Sequence, residues 1–243
     1  MCYHISQRKK EPDTIEQAFQ AAINFDEVLL PVYNHLNGFN HDYVMIIIQE
    51  HPDLIQLAKW GIVPPNYQGD MVDYWKKYSG GALNTRDDKF FINNTWKDDA
   101  IEENKCLIIV DGLYEPHHVS GHRPIPHYFE RYDSSLFALW GIYTKHGDLN
   151  TCSVLTTRAN PLFTEIHNKA KRMPFCLHPE SKDYFLGLDN EKDIINEFLD
   201  FRAIELIVRP VSRDVMNSNI KSDREGIMDK IEYTELQKPD TLF

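Results

Sequence analysis

The chain has 243 residues, is 42% hydrophobic and 12% aromatic, and carries a formal net charge of −11 at pH 7. That length and apolar content support a single fold unit with a sizeable core, and the acidic balance argues against a protein that coats nucleic acid indiscriminately while leaving room for a local basic groove. No run approaches the roughly 18 apolar residues that suggest a bilayer crossing, and MCYHISQRKK lacks the apolar segment of a secretion signal, so no membrane association and cytoplasmic or nuclear residence are expected.

Asp13 and Glu16 make a capping box ahead of Ile15, Ala18, Phe19, Ala22 and Ile23 at helical spacing, which predicts a helix over 14–27. Turn-forming residues fill 31–40 before the strand-like YVMIII at 43–48. Residues 54–60 supply another strand, ended by Gly61 and Pro64-Pro65. Cys106 to Val110 is the strongest strand signal, followed by a turn at Asp111-Gly112 and an extended Leu113 to Glu115. Residues 137–143 and 152–157 form a pair joined across 145–150. Pro161 starts a short helix carrying Phe163, Ile166 and His167. A helix over 190–201 precedes the strand-like AIELIV, and 218–243 read as a loosely structured extension, loosest at 239–243. The order of elements predicts an α+β fold: a mainly antiparallel, barrel-like β core with peripheral helices, in one domain over 1–243.

The four cysteines, Cys2, Cys106, Cys152 and Cys176, contain no CxxC pair, and the last three sit in apolar settings, as buried small hydrophobes do. Cys2 differs from them. Removal of Met1 would expose an α-amine and a thiol on adjacent carbons, which together close a five-membered thiazolidine on an aldehyde. Their reference pKa values of about 8 and 8.5 leave reactive forms of both near neutral pH. A nearby carboxylic acid would protonate the departing oxygen. Read alone, a cysteine after the initiator is more often incidental.

Other polar residues can serve such chemistry, and each has a plainer reading. In ALNTRDD, Asn84 can position a sugar hydroxyl or carbonyl and Arg86 offers a phosphate fork, with Asp88 placed to orient it; a solvated turn is the alternative. Glu115 is a proton donor if desolvated, or an edge-strand carboxylate. His167 is a proton relay or a structural histidine, and Lys169, Lys171 and Arg172 after it suit flanking phosphates. Arg158 to Arg172 holds four basic residues against Glu165 alone, whereas Glu180 to Glu205 holds eight acidic and three basic, so the negative excess is expected away from the binding face. Tyr67 suits base stacking, and Trp60 suits the core more than contact. The histidines at 117, 118, 122 and 127 show no HExxH or paired-cysteine pattern, and no phosphate loop occurs, so neither a metal nor a cofactor is expected.

Taken in order, MC at the start, WGIVPP at 60–65, LNTR at 83–86, CLIIVDGLYE at 106–115, FALWGIY at 137–143, TCSVLTTRAN at 151–160, IHNKAKRMP at 166–174 and PVSRDVMN at 210–217 resemble the SOS-response-associated peptidase family of abasic-site-shielding proteins. The resemblance implies a compact mixed-β fold whose mature Cys2 crosslinks to an abasic site in single-stranded DNA, after self-removal of Met1 and with a lyase side reaction. It implies positioning of the lesion by Asn84 and Arg86, proton transfer by Glu115, assistance by His167, and backbone contacts from Arg158 and Arg172. A monomer is expected, nucleoid-associated when bound to DNA, with replication-fork partners unidentified. Four positions depart from the family's pattern: Tyr3 and His4 replace the usual glycine and arginine, Pro116 replaces a tryptophan, and Asp88 stands for a glutamate. His4 can add to DNA contact only when protonated. Two other classes stay open, an N-terminal-nucleophile amidase using Cys2 and a non-catalytic single-strand-binding module.

Overall fold

A computed structural model describes residues 2–78, 80–92 and 95–237. In chain order its elements are β1 (His4–Gln7), α1 (Pro12–Phe19), β2 (Ala22–Ile23), β3 (Tyr33–Asn37), β4 (Tyr43–Ile48), β5 (His51–Trp60), α2 (Met71–Lys77), β6 (Asn84–Arg86), α3 (Trp96–Glu103) and β7 (Lys105–Val110). These are followed by β8 (Gly112–His117), β9 (Ile125–Glu130), β10 (Phe137–His146), β11 (Leu149–Arg158), α4 (Pro161–Ile166), β12 (Arg172–Pro174), β13 (Cys176–Leu177), α5 (Lys182–Gly187), α6 (Glu191–Asp200) and β14 (Ile207–Pro210). Met1 and the tail 238–243 lie outside the described residues. Among the described residues no helix is long and apolar enough to cross a membrane.

Two sheets make the core. A five-stranded antiparallel sheet has the order β14-β9-β8-β1-β3, and a nine-stranded sheet runs β12-β11-β10-β7-β4-β5-β2, with β13 on β10 and β6 on β11. Most pairings are antiparallel; β2 on β5, β6 on β11 and a three-residue contact of β5 with β11 are parallel. The expected α+β class with a mainly antiparallel core holds. The barrel-like expectation does not: the strands divide between two ladders, and although β5 and β11 touch in parallel over three residue pairs, β2, β12, β3 and β14 remain as edges.

Strand alternation explains why β4 and β7 are apolar at successive positions, since each is covered on both faces. Val44, Ile46, Ile48, Cys106, Ile108 and Val110 face a core shared with the five-stranded sheet, where they meet Ile5, Leu36, Leu113 and Phe129. Met45, Ile47, Leu107 and Ile109 face the other way, onto a second core closed by Ile15 and Phe19 of α1, Ile101 of α3, Phe185 of α5 and Ile194 of α6. The outer face of the five-stranded sheet is covered by a third cluster, in which Tyr114 and Tyr128 pack with Val211, Val215, Ile227 and Met228. Within 218–237, therefore, Ile227 is fully buried.

The helix expected over 14–27 stops at Phe19. Gln20 turns left-handed at φ 49°, and Ala22 and Ile23 pair with Leu54 and Ile55, so a strand partner takes residues whose spacing fits a helix. The strand expected at AIELIV begins only at Ile207. Gly141 of β10 lies where a Cβ would come 2.6 Å from the Ser153 backbone oxygen and 3.2 Å from Cys106 Sγ. Because backbone cannot yield as a side-chain tip can, Gly141→Ala should cost about 2 kcal/mol, read as a lowered denaturant midpoint at unchanged slope. An unshifted midpoint contradicts this packing.

Candidate active site

β1 and β8 pair antiparallel with His4 opposite Tyr114 and Ile5 opposite Leu113. Alternation along β8 turns Tyr114 to the outer cluster and Leu113 to the intersheet core. Glu115, two residues beyond Leu113, is on the core-facing side and is 1% exposed. Among the described residues neither of its carboxyl oxygens has a hydrogen-bond partner. Burial, partly offset by the positive chain terminus, pushes its pKa up to about 7.

His167 reaches this carboxyl from the end of α4. That helix is set by Pro161 in its first turn and by Asn160, whose side chain accepts from the Phe163 amide, and His167 caps its C-terminus. His167 Nδ1 lies 3.4 Å from Glu115 Oε2. The same nitrogen donates to the Arg172 carbonyl at 2.9 Å, and because a carbonyl only accepts, this bond fixes the proton on Nδ1. Burial lowers the imidazole to about 4, so it is neutral at physiological pH.

Cys2 is fully buried in the intersheet core. Its Sγ is 3.9 Å from the His4 carbonyl. Burial and the neighbouring Glu115 raise its thiol well above the usual range, which keeps the sulfur protonated. Asn84 reaches it from β6, a strand held parallel against β11; Asn84 Nδ2 donates to the Cys2 carbonyl at 2.8 Å, and its buried Oδ1 has no hydrogen-bond partner among the described residues. Cys2, Asn84, Glu115 and His167 thus converge from the segment ahead of β1, from β6, from β8 and from the end of α4. Unmet polar atoms on Asn84 and Glu115 make the cluster receptive to a polar reactant.

The other expected site residues sit farther out. Arg86 is exposed, with its guanidinium forked onto Asp88 at 2.8 and 2.6 Å. Arg158 is exposed opposite Arg172 in the β11–β12 register, and Lys169 and Lys171 are exposed on the turn that follows α4. Arg172 itself is 9% exposed; it donates to Asp87 Oδ1 at 2.7 Å and to Thr156, so its fork ties β12 to the 86–88 segment. His4 Nδ1 is hydrogen-bonded to His35 Nε2 at 2.9 Å, and His35 Nδ1 to Ser222 Oγ at 2.6 Å. Burial lowers His4 to about 3 and His35 to about 4, which leaves both neutral. Tyr67 is half-buried, edge-on to Tyr74 at 5.0 Å. Trp60 is core, donating through Nε1 to the Leu83 carbonyl at 3.0 Å. Among the described residues no three His, Cys, Asp or Glu side chains gather to hold a metal.

Sequence reasoning misses His35 and Ser222, which meet across 187 residues and carry no local signal. It also misses Tyr78, Trp96 and Lys97, although the alternation of aromatic and basic residues in WKKY and WK is a legible mark of a ligand surface.

The family described as SOS response associated peptidase (SRAP) matches residues 1–218, and the chain belongs to that family. It is 26% identical over 200 residues to the abasic site processing proteins YoqW of Bacillus subtilis and of Bacillus phage SPbeta, matching 78% of this chain and 82% of each of theirs. The abasic site processing protein YobE of Bacillus subtilis is 26% identical over 78% of this chain and 84% of its own. Crystal structures of a protein from Bacteroides thetaiotaomicron (TM-score 0.78, 23% identity, 95% of this chain and all of that one) and of one from Bordetella bronchiseptica (0.69, 21%, 87% and all) share the fold.

Burial of Glu115 has a measurable cost. A carboxyl whose folded pKa of about 7 exceeds its unfolded value contributes stability that is fully present below about pH 4.5 and is lost as pH rises through 7. Glu115→Gln removes that dependence. Between pH 5 and pH 8 the variant should therefore gain about 2 to 3 kcal/mol relative to the parent, measured as denaturant midpoints at the two pH values. Parallel pH profiles for the two proteins exclude a raised Glu115.

Proposed function

We propose that this member of the SRAP family is an abasic-site processing protein, which captures the open aldehyde of an abasic deoxyribose in single-stranded DNA as a thiazolidine on Cys2. The observation that carries this reading is a buried carboxyl poised near neutrality, Glu115, beside a protonated Cys2 thiol and a neutral His167. The names of the Bacillus relatives support the choice of lesion. A single strand is the sensible substrate, because its nucleotide need not be extracted from a duplex.

After removal of Met1, the Cys2 amine adds to the C1′ aldehyde to give a carbinolamine. Glu115, protonated at and below its pKa of about 7, gives its proton to the hydroxyl, which leaves as water and produces the imine. The nitrogen keeps its remaining hydrogen as a protonated imine, and the resulting carboxylate takes and keeps the thiol proton as sulfur attacks the imine carbon, which leaves the ring nitrogen neutral. One water is released and Glu115 ends as it began. Asn84 holds the Cys2 carbonyl, so the amine and sulfur meet the same carbon without searching rotamers. His167, whose Nδ1 proton is committed to the Arg172 carbonyl, acts as a neutral polar wall against the carboxyl. An imine left uncaptured by sulfur would drain into β-elimination, a lyase side reaction. Arg86, exposed at the end of β6, serves the flanking phosphate.

The test is incubation of mature protein with single-stranded DNA containing one abasic site, followed by denaturing electrophoresis. The parent should give an adduct and Cys2→Ala none; an equal adduct from Cys2→Ala, or none from the parent, would falsify the proposal. Glu115→Gln should slow adduct formation about a hundredfold, and the parent's rate should fall above about pH 7 as Glu115 loses its proton. Arg86→Ala should weaken binding and reduce the slope of log affinity against log salt by about 0.7, as loss of one phosphate contact requires. An unchanged slope removes Arg86 from the phosphate path.

A further inference from the structure

Beside the reactive cluster lies a cavity of about 250 Å³ lined by Tyr3, Tyr78, Trp96, Asn84, Arg86 and Lys97. Asn84 belongs to both: it lines the cavity and holds the Cys2 carbonyl at 2.8 Å. Tyr3, the next residue along the chain, packs on Phe39 with ring centroids 5.0 Å apart. Tyr78 is 51% exposed and Phe39 49% exposed, so aromatic surface extends from the cavity to its rim.

Lys97 sets the chemistry of this cavity. Among the described residues no carboxylate pairs with it, and the one hydrogen bond of its ammonium goes to Thr85 Oγ1 at 3.3 Å. Its Nζ sits 5.6 Å from the centre of the Trp96 ring. An ammonium carries three donors, so two are left over in a half-buried position beside the Trp96 ring. A lipid or aliphatic ligand would leave those donors unmet, and a bare anion would not use the aromatic walls. A flat heteroaromatic ring with acceptor atoms on its edge satisfies both.

We infer that this cavity is a nucleobase subsite: it takes the base next to the abasic sugar, stacked by Tyr78 and Trp96, with Lys97 donating to a ring nitrogen or carbonyl of that base. This rests on the proposed function for the identity of the neighbouring ligand. The volume admits one base, and the shared Asn84 puts that base one residue's reach from Cys2. The subsite would thereby register the sugar that lacks a base by gripping the neighbour that has one. Tyr67, the stacking residue the sequence favours, packs instead against Tyr74 and does not line this cavity.

The experiment measures equilibrium binding by fluorescence anisotropy, with single-stranded oligonucleotides that carry an unreactive tetrahydrofuran in place of the lesion. In the reference strand both neighbours keep their bases; in the others the 5′ neighbour, the 3′ neighbour or both are baseless too. Removing the base on one side should weaken binding about tenfold, and removing the other much less. In Tyr78→Ala and in Lys97→Met that difference should shrink below about twofold. Two variants are used because Tyr78 is exposed and Lys97 is only half-buried, so a folding defect common to both is not expected. Equal binding to all four strands by the parent, or an undiminished difference in both variants, overturns the subsite. Neither result depends on adduct formation, which alone decides the Cys2 chemistry.

Discussion

The site depends on β1 running through the interior of the five-stranded sheet in a register it cannot leave. β1 has β8 on one side and β3 on the other. Its far end is locked by Asp111, a fully buried carboxylate that receives Ser6 Oγ at 2.6 Å, the Arg8 amide at 2.8 Å and Arg8 Nε at 3.1 Å. Arg8 also reaches Glu130 at 3.2 Å, and Ser6 meets the Tyr128 hydroxyl at 2.8 Å. Slipping the strand by one residue would turn every side chain to the wrong face and strip Asp111 of its donors, a loss of several kcal/mol. Chain ends ordinarily fray, so chemistry on a terminal residue needs such an anchor close behind it. Here the anchor lies four residues from Cys2, and His4 opposite Tyr114 fixes the approach to Glu115.

The burial that holds the strand also sets the protonation of the site. Desolvation raises acids and lowers bases, so Glu115 rises to about 7 while His4 and His167 fall to about 3 and 4. The result is a nearly uncharged pocket in a protein whose formal net charge is −11. The negative excess lies elsewhere. Glu191, Asp193 and Asp200 are exposed on α6, which closes the second core through Ile194 on the far face of the nine-stranded sheet from Cys2. Arg158, Lys169 and Lys171, by contrast, are exposed in the segments that flank α4.

Much of this is legible in the sequence where one element carries its own explanation. YVMIII and KCLIIV announce strands covered on both sides, Pro161 announces its helix, and Glu115 is found by reading through the Asp111-Gly112 turn into the next strand. What is hidden depends on partners distant in sequence. Ala22 and Ile23 fit a helix until Leu54 and Ile55 offer them a ladder. Arg172 sits in a basic cluster that reads as phosphate-binding, yet its fork goes to Asp87, 85 residues away. His4 reads as a titratable contact until His35 and Ser222 bury its ring. Whether the strands close on themselves or divide into two ladders is likewise decided by pairings no local pattern encodes.

The residues at positions 3 and 4 connect these points. Where the family's usual glycine and arginine would offer an open backbone and a fixed cation, this chain has an aromatic ring and an imidazole held neutral. A cation lost beside the reactive terminus weakens the part of binding that comes from counterion release, the part most sensitive to salt. An aromatic gained at the next position adds stacking surface, which salt barely affects. Tyr3 lines the same cavity as Tyr78, Trp96 and Lys97, so the exchange is concentrated in one place. Under the proposed function the two substitutions therefore act together: they shift recognition from the phosphate beside the lesion to the base beside it, and leave Cys2, Asn84, Glu115 and His167 in the arrangement the chemistry requires.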